Sequence, residues 1–133
     1  MAENKTVDLK EAAEQAVKLE EAAKAIEDIG HYTYVFKEPF THGGKTVKEL
    51  HFDWEKLTGY DRNAIEAELL RDGITLVIPA YTGKFLMHMA VRACTDRDEK
   101  GVRIVDREFM QALPLRNYEK IIGRARSFLI QSE

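Results

Sequence analysis

Ten consecutive residues, FDWEKLTGYD from Phe52 to Asp61, bring three acids, a lysine, a threonine and three aromatic rings into one short stretch. Carboxylates beside a lysine and a hydroxyl are the groups that acid–base or nucleophilic catalysis would use. The same residues also spell the start of a helix. A threonine hydroxyl accepts from first-turn N–H groups and an acid three residues on favours the positive helix end, so Thr58 and Asp61 have the spacing of a capping box variant. On that reading the acids serve helix initiation, and Asp53 caps a shorter turn through Trp54 to Leu57.

Other reactive groups are few. Cys94 with a distant histidine is the minimum for thiol catalysis, yet it stands beside Ala93 on the apolar side of a helical pattern, where a thiol is expected to be buried and inert. A small enzyme would need Cys94 or a histidine to converge with Asp53, Glu55 and Asp61 in a concave pocket. Each of these residues has a simpler structural role, so the expectation is a protein without catalytic residues or cofactor. The four histidines, His31, His42, His51 and His88, show no HExxH, HxH or clustered Cys/His spacing. His42 and His51 would meet only across a hairpin of favourable register. Solvent-exposed strand and turn histidines, with no metal, are expected.

The run THGGK followed by Thr46 is superficially like a phosphate loop, but it lacks the first glycine at the required distance and does not join a strand to a helix. A hairpin turn explains it better. Arg116, Lys120 and Arg124 stand at steps of four, with Arg126 close by, and such a stripe can lie along phosphates. Against nucleic acid stand a net charge of −3 and the lack of interleaved aromatics. A solvated helix face is expected, and a small nucleic-acid-binding regulator is the alternative reading.

The elements that must position these groups follow from bulk properties and periodicity. At 133 residues and 44% hydrophobic content the chain fits one domain with a real core and perhaps one appended element. No apolar run approaches the roughly 18 to 20 residues that span a bilayer, and the first residues are acidic and alanine-rich, so a soluble protein without a secretion signal is expected. A single cysteine suits a reducing cytosol. Residues 1–30 hold four lysines against eight acids, while residues 84–133 hold ten Lys plus Arg against seven acids.

Residues 8–28 contain no Gly or Pro, and Leu9, Ala12, Ala16, Leu19, Ala23 and Ile26 form a three-heptad seam. With half of it alanine, this helix either needs a partner surface or is a mostly solvated extension. Gly30 is expected as its C-terminal glycine. From His31 the period becomes two: HYTYVFKEPF and TVKELHF read as strands around THGGK, with Pro39 keeping the first strand at an edge or stopping it.

Helix YDRNAIEAELLRD should turn Ala64, Ile65 and Leu69 inward and stop at Gly73. ITLVIPAYTG is read as a buried connector, or as a short third strand from Ile74 to Ile78. KFLMHMAVRACT is a helix with Phe85, Leu86, Met89, Ala90 and Ala93 on one face and Lys84, His88 and Arg92 on the other. Asp106 should cap a short helix that Pro114 breaks. The last helix, LRNYEKIIGRARSFLIQ, carries a broad apolar face of Leu115, Tyr118, Ile121, Ile122, Ala125, Phe128 and Leu129. The sum is an α+β domain over residues 31–133, a hairpin on three to four helices, preceded by a long amphipathic helix in residues 1–30.

The block PFTHGGKTVKELHFDWEKLTGYDRNAIEAEL resembles the hairpin-plus-helix core of bacteriophage tail assembly chaperones: a Pro-containing strand, a GK turn, an alternating second strand and an LTxxD helix start. FLMHMAVRACT and LPLRNYEKIIGRARSFL are similar to that family's later helices, so the resemblance spans Tyr32 to Leu129. It implies a non-enzymatic protein of the host bacterial cytoplasm, absent from the mature virion, that binds the tape measure protein and helps recruit tail tube subunits. A holdase for a long helical client needs apolar helix faces. Leu115, Tyr118, Ile122, Phe128, Leu129, Met87 and Met89 are the candidates for partner binding. The seam Leu9, Ala16, Leu19, Ala23 and Ile26 is the candidate for self-association or for folding over the groove.

Overall fold

Glycine chemistry sets the hairpin. Between β1 (His31–His42) and β2 (Lys45–Asp53), Gly43 and Gly44 both take positive φ, 59° and 77°, as a two-residue hairpin turn of this twist requires. The register runs from His42↔Lys45 to His31↔Asp53 and slips between Phe40↔Val47 and Val35↔Glu49. Pro39, with no N–H to offer a ladder, falls in that slip. The slip keeps the inner faces in step. Tyr34 and Phe36 on β1 are buried, and β2 changes parity from Val47 to Leu50 and Phe52.

The computed structural model describes residues 10–18 and 28–131. Residues 10–18 form helix α1, and all of their side chains are exposed. A 3-10 turn, Asp28–Gly30, leads into the two-stranded antiparallel sheet. A second, Trp54–Lys56, precedes α2 (Gly59–Arg71), and a third, Pro79–Tyr81, precedes α3 (Gly83–Ala93). Helices α4 (Arg107–Ala112) and α5 (Leu115–Gln131) complete an α+β arrangement.

Helix α3 lies at the centre, packed against α2, α4, α5 and β2. Phe85, Leu86 and Met89 meet a core that includes Leu50, Trp54, Ile65, Leu69, Phe109 and Ile121. Burying each such side chain contributes on the order of 1.5–3 kcal/mol before conformational entropy is charged against it. Aromatic rings tie the hairpin to the helices: Phe52 stacks on Trp54 at 5.2 Å between centroids, and Phe40 meets Phe109 edge-on at 5.3 Å.

Local signals act where expected. The Asp61 carboxylate accepts from the Thr58 backbone N–H at 2.8 Å, and Asp106 accepts from the Phe109 N–H at 2.7 Å. Arg62 lies 3.5 Å from Glu66, one turn on. Helix α2 ends with Gly73 at φ 79°, and the Ile74 N–H reaches back to the Leu69 carbonyl at 2.9 Å.

Two expectations are revised. Asp53 makes no side-chain cap for the Trp54 turn and faces His31 at 3.4 Å. Gly30 does not take positive φ; it sits in a 3-10 turn where a Cβ would run into the Glu55 side chain. Of the two readings of Ile74 to Ile78, the connector holds: the segment is irregular, runs into the Pro79 turn and is not a strand. Of the long N-terminal helix, residues 10–18 are described, with Ala16 exposed, while Leu9, Leu19, Ala23 and Ile26 lie outside the described residues. Among the described residues no helix is long and apolar enough to cross a membrane.

Candidate functional site

The end of β2 runs beside the segment leaving α3. Phe52 bridges to Cys94, and the Thr95 N–H donates to the His51 carbonyl at 2.9 Å. Asp96 then turns back on the strand, accepting the His51 backbone N–H at 2.7 Å and standing 2.8 Å from His51 Nδ1. The Cys94 thiol donates to the same carboxylate at 3.4 Å. A thiol, a carboxylate and an imidazole therefore do meet.

Their order is wrong for thiol catalysis. Asp96 stands between sulfur and ring, so the imidazole has no direct path to the thiol proton, and burial pushes the Cys94 thiol up to about 12. The hydrogen bond to Asp96, more than any other influence, raises the imidazole of His51 above its ordinary range. This cluster fastens the loop to the hairpin. A nearby ion pair does the same: Lys45, at the turn, reaches Asp98 at 2.5 Å, and Asp98 also accepts the Lys100 and Val102 N–H groups.

The acids of the opening stretch disperse. Asp61 serves α2 and Arg92, at 2.7 Å; the Thr58 N–H first, and then Arg92, hold its carboxyl below the usual range. Glu55 is exposed, and Asp53 faces His31. Among the described residues no group of three or more His, Cys, Asp or Glu could hold a metal.

Of the histidines, His31 alone is an exposed strand residue. His42, half-buried, packs edge-on against Phe109 at 5.7 Å. The register puts His42 at the turn and His51 opposite Thr33, far along the hairpin. His88 departs furthest from expectation. The sequence pattern placed it on the polar face of its helix, but it is 4% exposed, with Nδ1 3.0 Å from Glu68, because α2 covers that side of α3. Burial is the main cause that lowers its pKa.

The partner-binding candidates divide. Met87, Met89 and Ile122 are at most 3% exposed and belong to the core, which removes them from any accessible surface. Leu115 is 73% exposed, while Tyr118, Phe128 and Leu129 are half-buried. At the start of α5, Leu113, Leu115, Tyr118 and Gln111 line a cleft of about 270 Å³.

Further along α5, Arg126 Nε donates to the Ala80 carbonyl at 2.9 Å and ties down the connector, whose Val77 and Tyr81 are 80% and 71% exposed. Reading the connector as buried missed this surface. Its signal was the apolar run itself, which has too few polar residues for an exposed loop.

The basic stripe is partly committed to structure. The Arg124 guanidinium lies 4.4 Å over the Tyr32 ring and Arg126 holds the connector, leaving Arg116 and Lys120 exposed. With two of its four cations engaged, the face is a weaker phosphate track than the spacing promised. No protein-family model, no curated protein and no solved structure matches this chain.

Proposed function

We propose that the chain is a non-enzymatic phage tail assembly chaperone: it binds the tape measure protein, helps recruit tail tube subunits, acts in the host cytoplasm and is absent from the mature virion. The observation that carries this reading is apolar exposure at both ends of α5, Leu115 beside its cleft and Val77 and Tyr81 on the connector held by Arg126. Leu115 and Arg126 are separated by ~16 Å of helix at 1.5 Å per residue. A client helix of three turns would reach from one patch to the other, using its apolar stripe as helix-in-groove partners do.

The test is co-expression with helical fragments of a tape measure protein, followed by affinity measurement. Leu115→Asp and Tyr81→Asp should each weaken binding about ten-fold or more while leaving the fold intact, since both side chains are mostly solvated. Unchanged affinity in both variants rejects this surface as the client site. Deletion of residues 1–30, with light scattering and the same binding assay, tests whether the Leu9 to Ile26 seam pairs with another copy or folds over the client surface. No change in either readout leaves the segment without a functional role.

A further inference from the structure

A second concavity, of about 640 Å³, lies where α2, α3 and the segment entering α4 converge. Its volume falls in the range of small-molecule sites. Four arginines from three separate elements share its wall: Arg71 from α2, Arg92 from α3, and Arg103 and Arg107 from the segment that starts α4. Guanidinium groups gathered in this way repel one another unless acids or a ligand intervene.

The acids of the wall are mostly engaged. Glu68 faces His88 at 3.0 Å, Asp106 caps α4 through the Phe109 N–H, and Asp72 stands 3.4 Å from Arg107. Arg92 is held by Asp61 at 2.7 Å. Among the described residues neither Arg71 nor Arg103 makes an ion pair, and of the wall's four carboxylates Asp106 and Glu108 make none, Asp106 spending one oxygen on the Phe109 N–H. Two guanidiniums without an ion pair thus share the wall with the Glu108 carboxylate and the second oxygen of Asp106. The Arg107–Asp72 pair is long and more than 40% exposed on both sides, so a better acceptor can displace Asp72 at little cost.

We propose that this groove binds a small molecule bearing two anionic groups, phosphates or carboxylates, taken by the forked donors of Arg71 and Arg103, with Arg107 recruited from Asp72. Planar guanidinium forks match both kinds of oxyanion through paired N–H donors. Buried His88 lies on the wall, facing Glu68 from α2, Asp72 just after it, Arg92 from its own helix and Arg107 from α4. An anion beside it favours the imidazolium, so binding should be accompanied by proton uptake. This site is independent of the apolar surface on α5, and neither proposal needs the other.

The experiment titrates the full chain at low salt with pyrophosphate and, in a separate arm, with citrate, by calorimetry. Proton NMR follows the His88 ring in the same samples. The expected result is saturable binding of at least one probe, weakened about ten-fold or more in the R71Q/R103Q double variant, with the His88 pKa rising on binding. The arm that binds more tightly distinguishes a phosphate ligand from a carboxylate one. Both arginines are exposed, and thermal unfolding verifies that the variant folds. The proposal is overturned by the lack of saturable binding at millimolar probe, by binding that survives in R71Q/R103Q, or by binding that R116Q/K120Q abolishes instead.

Discussion

Helix α3 buries six consecutive residues, Phe85 to Ala90, whereas the longer α5 buries Ile121, Ile122 and Ala125 and leaves much of its length in contact with water. Both helices carry apolar residues at alternating steps of three and four. A stripe of that kind says which side of a helix meets the core, but not how many sides have neighbours. Helix α3 is surrounded by α2, α4, α5 and β2, so even its polar-face His88 is enclosed. Helix α5 closes one wall of the same core and keeps an outer side. The greasiest helix is therefore the centre of the scaffold, and the more mixed one keeps one side in water.

The sharpest way to break this contrast is to truncate one leucine on each helix. Leu86→Ala, at a position with no exposure, should cost about 2–5 kcal/mol through lost burial and the cavity left behind. Leu115→Ala should stay within about 0.5 kcal/mol. Urea unfolding followed by the fluorescence of the single, buried Trp54 reads both. Equal costs would mean that the two helices are embedded alike.

A second test uses histidines in the two environments. The folded chain holds His88 neutral below its ordinary 6.5, so the unfolded state gains a proton first and stability should decline as pH falls from about 6.5. His51 has the opposite sign. Its folded pKa is raised, so its contribution is complete below about 6.5 and is lost as pH rises through the folded value. His88→Gln should flatten the acid side of the stability curve. His51→Gln should be most damaging at mildly acid pH and converge on wild type in alkali. Profiles that move the other way would reverse the burial assignments.

Cys94 supplies a third, kinetic comparison. With its thiol pushed up to about 12 and 2% exposed, it should resist an aromatic disulfide reagent at pH 8 and react promptly in denaturant. Prompt reaction of the native chain would show that the seam between β2 and α3 opens readily. The smallest effect is expected at Arg124→Ala, where loss of the contact over Tyr32 should cost about 0.5–1 kcal/mol in the same urea experiment.

Much of the fold could be read from the chain because its boundaries are written in neighbouring residues. Thr58 with Asp61, Asp106 with Phe109, Gly43 with Gly44, and Gly73 after α2 each act across a few positions, and each does so as its spacing implied. Readings failed where a single residue type had two local uses. Gly30 resembled a helix stop and instead sits against Glu55, and Asp53 resembled a cap and instead faces His31. The client-face reading of Met87 and Met89 failed for a different reason, since a repeat of apolar residues looks the same whether a domain's own helices or another protein's will cover it.

By itself the sequence determined the α+β class, the hairpin turn, and where α2, α4 and α5 begin, because backbone N–H groups at helix ends and the φ angles of turns are answered by side chains a few residues away. Tertiary structure alone decided that His88 is buried, that Cys94, Asp96 and His51 share one carboxylate, that arginines from three elements face one groove, and that α5 keeps an open side. Those outcomes depend on which distant elements pack together. Packing is settled by the total apolar area the whole chain can remove from water, a quantity that no short window of residues contains.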